Sequence, residues 1–221
     1  TEQAKLGALR FFRGVNDGGA NCVQCHRGDA FTNERATAIG FPQVGPGMGD
    51  GADGTADFGR QRASGQAADR FKFRTPSLLN VELTPPWGHS GHTDDLFDVV
   101  RHYVLPEETF GAQLQGRTWC ALPSFVATPG CNSTFNAVAA NTSEAFARVQ
   151  QLRFEAPADA MPGVNTFEFS PTVNGQIQAF LRTLTDPCLR DRACFGRWIP
   201  RPDEAPDEHQ LNATDASGRP L

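Results

Sequence analysis

The stretch Cys22-Val23-Gln24-Cys25-His26 constrains this chain more than any other. Two thiols three positions apart, with an imidazole directly after the second, form the pattern by which a c-type haem is fixed covalently to protein. The thiols make thioethers with the two vinyl groups of one haem, and His26 follows in place to bind the iron from the proximal side through a ring nitrogen. Two other chemistries share the Cys-x-x-Cys spacing, a redox-active dithiol and half of a zinc site. Zinc needs two more ligands, and the remaining cysteines lie far downstream at Cys120, Cys131, Cys188 and Cys194. A dithiol normally opens a helix after a parallel strand, whereas Gly14, Gly18 and Gly19 read as a loop after a helix. The expectation is one covalent haem c on Cys22 and Cys25, with His26 on the iron.

A large buried cofactor also fits the composition. With 22 glycines, 16 prolines and 39% hydrophobic residues in 221, the chain reads as a core wrapped in long loops. A haem supplies apolar contact that side chains in such a chain do not. Net charge is −5 and only Lys5 and Lys72 are lysines, so no basic block points to nucleic acid. No apolar run approaches the roughly 18 residues of a membrane span. The four downstream cysteines form two close pairs, Cys120 with Cys131 and Cys188 with Cys194, in segments rich in Gly, Pro, Asn and Asp. They read as disulfides, each worth roughly 3 kcal/mol by loop-closure entropy where a segment has little core of its own. Covalent haem and disulfides together point to a periplasmic or extracellular bacterial protein. The chain begins at Thr1, without an initiator Met or a signal sequence, and the expectation is that something was removed before it.

Leu6, Leu9 and Phe12 recur at helical spacing over residues 2–12, with Gly14 as a stop. After the haem motif, Gly45, Gly47, Gly49, Gly51 and Gly54 with Pro42 and Pro46 rule out a regular element and predict an ordered loop over the haem edge. Asp50, Asp53 and Asp57 in this loop lack the spacing of a helix-loop-helix calcium site. Thr93 reads as the N-cap of a helix through Tyr103 that Pro106 ends. A second helix is expected from Ser143 to about Phe154. A third has Ser170 as cap and Pro171 at its first position, with Val173, Ile177, Phe180, Leu181 and Leu184 on one face. From Asp186 onward the Pro, Asp and Arg content predicts an extended surface tail.

The segment Lys72-Phe73-Arg74-Thr75-Pro76-Ser77-Leu78-Leu79-Asn80-Val81-Glu82-Leu83-Thr84-Pro85-Pro86-Trp87-Gly88-His89-Ser90-Gly91 resembles, nearly residue for residue, the C-terminal haem domain of the bacterial dihaem cytochrome c peroxidase and MauG family. Gly28-Asp29-Ala30-Phe31-Thr32, Asp57-Phe58-Gly59-Arg60 and Phe180-Leu181-Arg182-Thr183-Leu184 extend the resemblance over roughly residues 3–185. It implies a mainly α fold: a cytochrome c-like haem domain over 1–185 with long loops and few or no strands, carrying a disulfide-bearing insert at about 117–142 and followed by the tail 186–221. Such enzymes usually carry two haems in one chain, one that meets peroxide and one that passes electrons. This chain has one haem motif and looks like the electron-passing half, whose partner is then a second haem domain or chain of the same enzyme, together with a redox protein.

The resemblance also implies roles by position. Tyr103 stands where the peroxidases have a methionine and the MauG branch a tyrosine as sixth iron ligand; Met48 and Met161 remain alternatives from loops. His89 is the expected electron relay near the haem, and Arg74 and Arg60 are expected partners of the haem propionates. The backbone carbonyls of Thr84 and Pro86 are the expected contribution to a calcium ion. The function expected is electron transfer as part of a peroxidase-type haem oxidoreductase. The alternative is a monohaem carrier or surface-associated cytochrome without catalysis of its own.

Overall fold

The computed structural model describes residues 1–116, 118–126, 131, 135–161 and 170–199. Helix α1 (Glu2–Phe12) begins where Thr1 accepts a hydrogen bond from the Ala4 N–H, and it buries Ala4, Gly7 and Phe11. A short 3-10 turn, Cys22–Gln24, carries the haem motif. Strands β1 (Ala36–Ala38) and β2 (Lys72–Arg74) pair antiparallel, Ala36 against Arg74 and Ala38 against Lys72. Between them lie the glycine-rich loop and a single helical turn, α2 (Gln61–Ser64).

Helices α3 (Leu96–Val104), α4 (Pro106–Gly116), α5 (Pro123–Val126), α6 (Phe135–Glu155) and α7 (Pro171–Leu181) follow. The protein is mainly helical, and among the described residues its one sheet has two strands. Residues 1–184 form one unit and residues 185–221 a second.

Three apolar clusters organise the first unit. Phe11 of α1, Leu96 and Val100 of α3, and Ile177, Phe180 and Leu181 of α7 form the first. Here α1 and α7 cross so closely that a Cβ on Gly7 would lie 1.9 Å from the Gln176 carbonyl oxygen. Buried Asn174 ties α7 to α3 by donating its Nδ2 to the Phe97 carbonyl at 2.9 Å. The second cluster joins Val44 and Phe110 to Trp119, Leu122, Phe125 and Val138, with Cys120 and Cys131 packed against it. The third gathers Ala38, Val149, Leu152, Ala160 and Met161, flanked by Ile39 and Tyr103.

Both expected disulfides are present, Cys120–Cys131 and Cys188–Cys194. The first does not substitute for a missing core: Trp119 beside it is 1% exposed. Two boundaries differ from the sequence reading. Helix α3 is capped by Asp95, whose side chain accepts from the Phe97 N–H, while Thr93 accepts from the Asp95 N–H in the preceding turn. Ser143 does not start α6 but lies inside it, its hydroxyl donating to the Ala139 carbonyl. Pro106 follows the end of α3 and opens α4.

The segment from Asp186 is helical rather than extended as far as it is described. It holds the turn Pro187–Arg190, helix α8 (Arg192–Phe195) and the turn Gly196–Trp198, closed by the second disulfide. The rest of the predicted tail, 200–221, and parts of the predicted insert, 117–142, lie outside the described residues.

The glycine-rich loop is ordered by its own polar groups. Asp50 accepts from the Phe58 N–H and from Arg62, Asp53 from Thr55, and Asp57 from the Gly59 N–H. Gly47, at φ +70°, is the tightest point, since a Cβ there would meet the Thr55 carbonyl at 2.2 Å.

Candidate functional site

The 3-10 turn at Cys22–Gln24 is held by the Cys25 and His26 N–H groups, both donating to the Cys22 carbonyl at 3.2 and 2.9 Å. It brings both thiols and the imidazole to the wall of one cavity of about 430 Å3. Cys22 and Cys25 are unpaired, whereas Cys120, Cys131, Cys188 and Cys194 are consumed in disulfides and so withheld from a zinc site. Burial pushes the Cys22 thiol up to about 12 and raises Cys25 as well, so both are S–H groups at neutral pH.

His26 Nδ1 lies 3.0 Å from the Phe31 carbonyl oxygen. A carbonyl only accepts, so Nδ1 carries the proton and Nε2 keeps its lone pair for a metal. Burial lowers the His26 pKa and favours that neutral form.

The rest of the lining is mostly apolar. Leu96, Val99, Val100 and Tyr103 come from α3, Ile177 and Leu181 from α7, Ile39 and Phe41 from the loop that follows β1, and Phe73 and Trp87 from the segment that begins in β2. Trp87 is fixed by donating its indole N–H to the Val81 carbonyl at 2.9 Å. Among the described lining residues Arg74 is the only arginine or lysine. Volume and lining suit a large, flat, apolar cofactor with a few polar anchors.

A second observation fits a cofactor that bears acidic groups. Gln43 accepts from the Asp57 N–H through Oε1 at 3.0 Å, which fixes the orientation of its amide. Its Nε2 then faces His89 Nε2 at 3.3 Å and must donate, so His89 carries its proton on Nδ1. The ring stacks on Phe73 at 3.9 Å with 19° between planes. His89 lines the cavity, and its Nδ1 is buried with no partner in the protein. Burial, only partly offset by Asp57, lowers its pKa to about 4, so the ring is neutral. A buried N–H donor without an acceptor costs about 1–3 kcal/mol, which an accepting carboxylate on a bound group relieves. The residues present therefore fit a haem, with thiols for its vinyl groups, an imidazole for its iron, and Arg74 and His89 for its propionates.

The expected site residues divide clearly. Cys22, Cys25, His26, Arg74, Thr84, Pro86, His89 and Tyr103 all line this cavity, and so does Met161. Arg60 does not; its Nε is 3.0 Å from Asp69 Oδ2 and its side chain is more than half exposed. Met48 is 55% exposed and outside the lining. Burial raises the Tyr103 pKa, and proximity to both thiols raises it further. Sequence reasoning passed over Phe41, Phe73 and Gln43. Phe73 stood within the recognised segment, but nothing in its spacing distinguished a ring that orients a histidine from an ordinary core residue. Among the described residues no group of three or more His, Cys, Asp or Glu side chains is placed to hold a metal ion alone.

No protein-family profile matches the chain. It is 36% identical over 82 residues to the cytochrome c551 peroxidase of Nitrosomonas europaea, covering 37% of this chain and 23% of that protein. It is 35% identical over 118 residues to the methylamine utilization protein MauG of Methylophilus methylotrophus, covering 52% of this chain and 31% of that protein. Among solved structures, a MauG-like protein associated with microbial copper homeostasis is similar with a TM-score of 0.48 and 20% identity, over 86% of this chain and 48% of that one. The matches thus span about a quarter to a third of the length of these curated relatives, and within them this chain is similar to haem proteins of the cytochrome c peroxidase and MauG kind.

Proposed function

We propose that this chain carries one covalent haem c and passes electrons through it, as the electron-transfer half of a cytochrome c peroxidase-like or MauG-like oxidoreductase whose peroxide-reacting haem lies on another segment or chain. The observation that carries the reading is the wall of the cavity: two unpaired thiols and an imidazole whose Nδ1 faces the Phe31 carbonyl, in a protein whose other four cysteines are all paired.

Cys22 and Cys25 would hold the haem covalently through thioether bonds to its two vinyl groups. His26, oriented by its Nδ1–H bond to the Phe31 carbonyl, would bind the haem iron through Nε2. Arg74 and the Nδ1–H of His89 hold the propionates. Haem bound there supplies a one-electron iron couple. The apolar residues of α3 and α7 would exclude water from it, and His89 is the electron relay that the sequence resemblance implies. Thr84 and Pro86 line the same cavity, and their carbonyls are the proposed calcium contribution. The two disulfides support a periplasmic or extracellular location. Among the described residues no helix is long and apolar enough to cross a membrane.

A second reading, a monohaem carrier, is favoured by the single Cys-x-x-Cys-His in the sequence. Native mass spectrometry of the assembly purified from its own cells, with the haem count per complex, separates the two. Two haems in a complex containing this chain are expected for the enzyme; one haem per isolated chain overturns the enzyme reading in favour of the carrier.

A further inference from the structure

Two short segments, Ala30-Phe31-Thr32 and Thr75-Pro76-Ser77, are tied together beside His26. Phe31 is the unexpected residue among them. Its φ is +50°, in the left-handed region that glycine and asparagine tolerate and a bulky side chain does not.

The turn over residues 27–32 is closed by the Phe31 N–H, donating to the Gly28 carbonyl, and the Thr32 N–H, donating to the Arg27 carbonyl, both at 3.0 Å. A glycine at position 31 would close that turn without strain. The phenyl ring packs against Phe11, Phe12 and Phe180, which accounts for an apolar side chain there. It does not account for the backbone. What the left-handed conformation fixes is the direction of the carbonyl, and the Phe31 carbonyl is the one that accepts from His26 Nδ1 at 3.0 Å.

Two hydroxyls hold this arrangement, and they act reciprocally. Thr32 Oγ1 accepts from the Glu34 N–H at 2.9 Å and donates to the Thr75 carbonyl at 2.6 Å. Ser77 Oγ accepts from the Leu79 N–H at 3.1 Å and donates to the Ala30 carbonyl at 2.6 Å. Each hydroxyl therefore bends its own chain and ties it to the other, so that 30–32 and 75–77 are joined at both ends. The middle residue of each segment acts on the histidine: the Phe31 carbonyl accepts from its ring, and the Pro76 carbonyl also favours a proton there. A strained conformation in a bulky residue persists where its surroundings over-determine it, and these two ties do so.

We infer that Thr32 and Ser77 are positioning residues for His26: their paired hydrogen bonds hold Phe31 in the left-handed conformation whose carbonyl keeps the proton on His26 Nδ1. This rests on the haem reading above. A hydrogen bond from Nδ1–H makes the imidazole a stronger donor through Nε2, and a stronger donor favours ferric iron and lowers its potential. The Thr32 tie is partly buried and the Ser77 tie is exposed. Water replaces a lost hydroxyl more easily at an exposed site, so Thr32 carries more of the effect.

The test uses the haem-loaded chain. In the wild-type protein the His26 Nδ1–H should give a slowly exchanging proton resonance, a reading that needs no variant and so survives a folding failure. Thr32→Val, which keeps the shape and removes the hydroxyl, should speed that exchange and raise the midpoint potential, and Thr32→Ser should restore both. Ser77→Ala should shift both in the same direction by less, and the double variant should shift them most. A merely structural loop would lower the thermal midpoint of Thr32→Val and leave the potential unchanged; that result overturns the inference and leaves the haem reading standing. A wild-type Nδ1–H that exchanges with water too fast to observe overturns it too. A haem that acid-organic solvent strips from the wild-type chain overturns both readings.

Discussion

His89, His92 and His102 are neutral for the same reason: loss of water contact at the ring disfavours the imidazolium, lowering them to about 4, 3 and 4. His102 donates its Nε2–H to the Ile39 carbonyl at 2.9 Å and stacks on Phe41 at 4.3 Å, joining α3 to the cavity loop. His92 packs on the other side of that region, 5.1 Å from Phe41, and is further disfavoured as a cation by His102 and His89. The sign of the pH effect follows. An unfolded histidine binds its proton near 6.5 and folded His92 binds it only near 3, so stability is full above about pH 6.5 and is lost as pH falls toward 3. Each such histidine removes up to about 1.4 kcal/mol per pH unit in that window. Denaturant midpoints at pH 7 and pH 5 should show a clear loss of stability on acidification, and His92→Gln should flatten it; equal slopes in the two proteins would show that His92 titrates normally. At this scale the sequence was legible where a motif named the residue. Cys22, Cys25, His26, Arg74, His89 and Tyr103 line one cavity. Arg60 does not, because Asp69, brought close by the turn before β2, offers its guanidinium a nearer partner.

The helices were read more reliably than their ends. Amphipathic spacing identified α1 and α7, and Ser170 with Pro171 marked the start of α7 correctly, its hydroxyl accepting from the Val173 N–H. Composition misled where polar residues sat inside an element. Ser143 caps nothing, and α4, polar over much of its length, left no periodic signal although Thr109, Phe110 and Gln113 are buried. What spacing could not show is how closely elements approach. The crossing of α1 on α7 depends on Gly7, whose missing side chain lets the Gln176 carbonyl come within van der Waals reach of its backbone. Beyond that contact, Phe11, at the wall of the cavity, lies 5.0 Å from Phe180. Gly7→Ala should separate the helices and cost about 1–3 kcal/mol despite alanine's better helix propensity. A fall in thermal midpoint of several degrees is the expected result, and an unchanged or raised midpoint would mean that the crossing is loose.

Across the molecule, the site belongs to the first unit, residues 1–184, and draws on the haem-motif turn, β2, α3 and α7. The mainly helical character was legible from sequence because it follows from apolar periodicity and from the resemblance. The tie between β2 and the segment before Met161 was not, because it depends on Lys72 and Asp159, 87 positions apart in the chain, meeting at 2.8 Å. As far as it is described, to Ile199, the second unit is held by Cys188–Cys194 and short helical turns, where its composition predicted an extended tail. In so short a segment the disulfide and local caps such as Asp186 and Asp191 determine structure more than propensity does.

The central claim is that Cys22, Cys25 and His26 hold a covalent haem, and it is tested most directly on the peptide that contains them. Trypsin cleaving after Arg13 and Arg27 releases residues 14–27 with the whole motif. In protein produced where haem attachment operates, that peptide should carry the added mass of one haem after acid-organic extraction, with neither Cys22 nor Cys25 open to alkylation. The unmodified peptide with two alkylatable thiols, or with the two joined as a disulfide, would contradict the account.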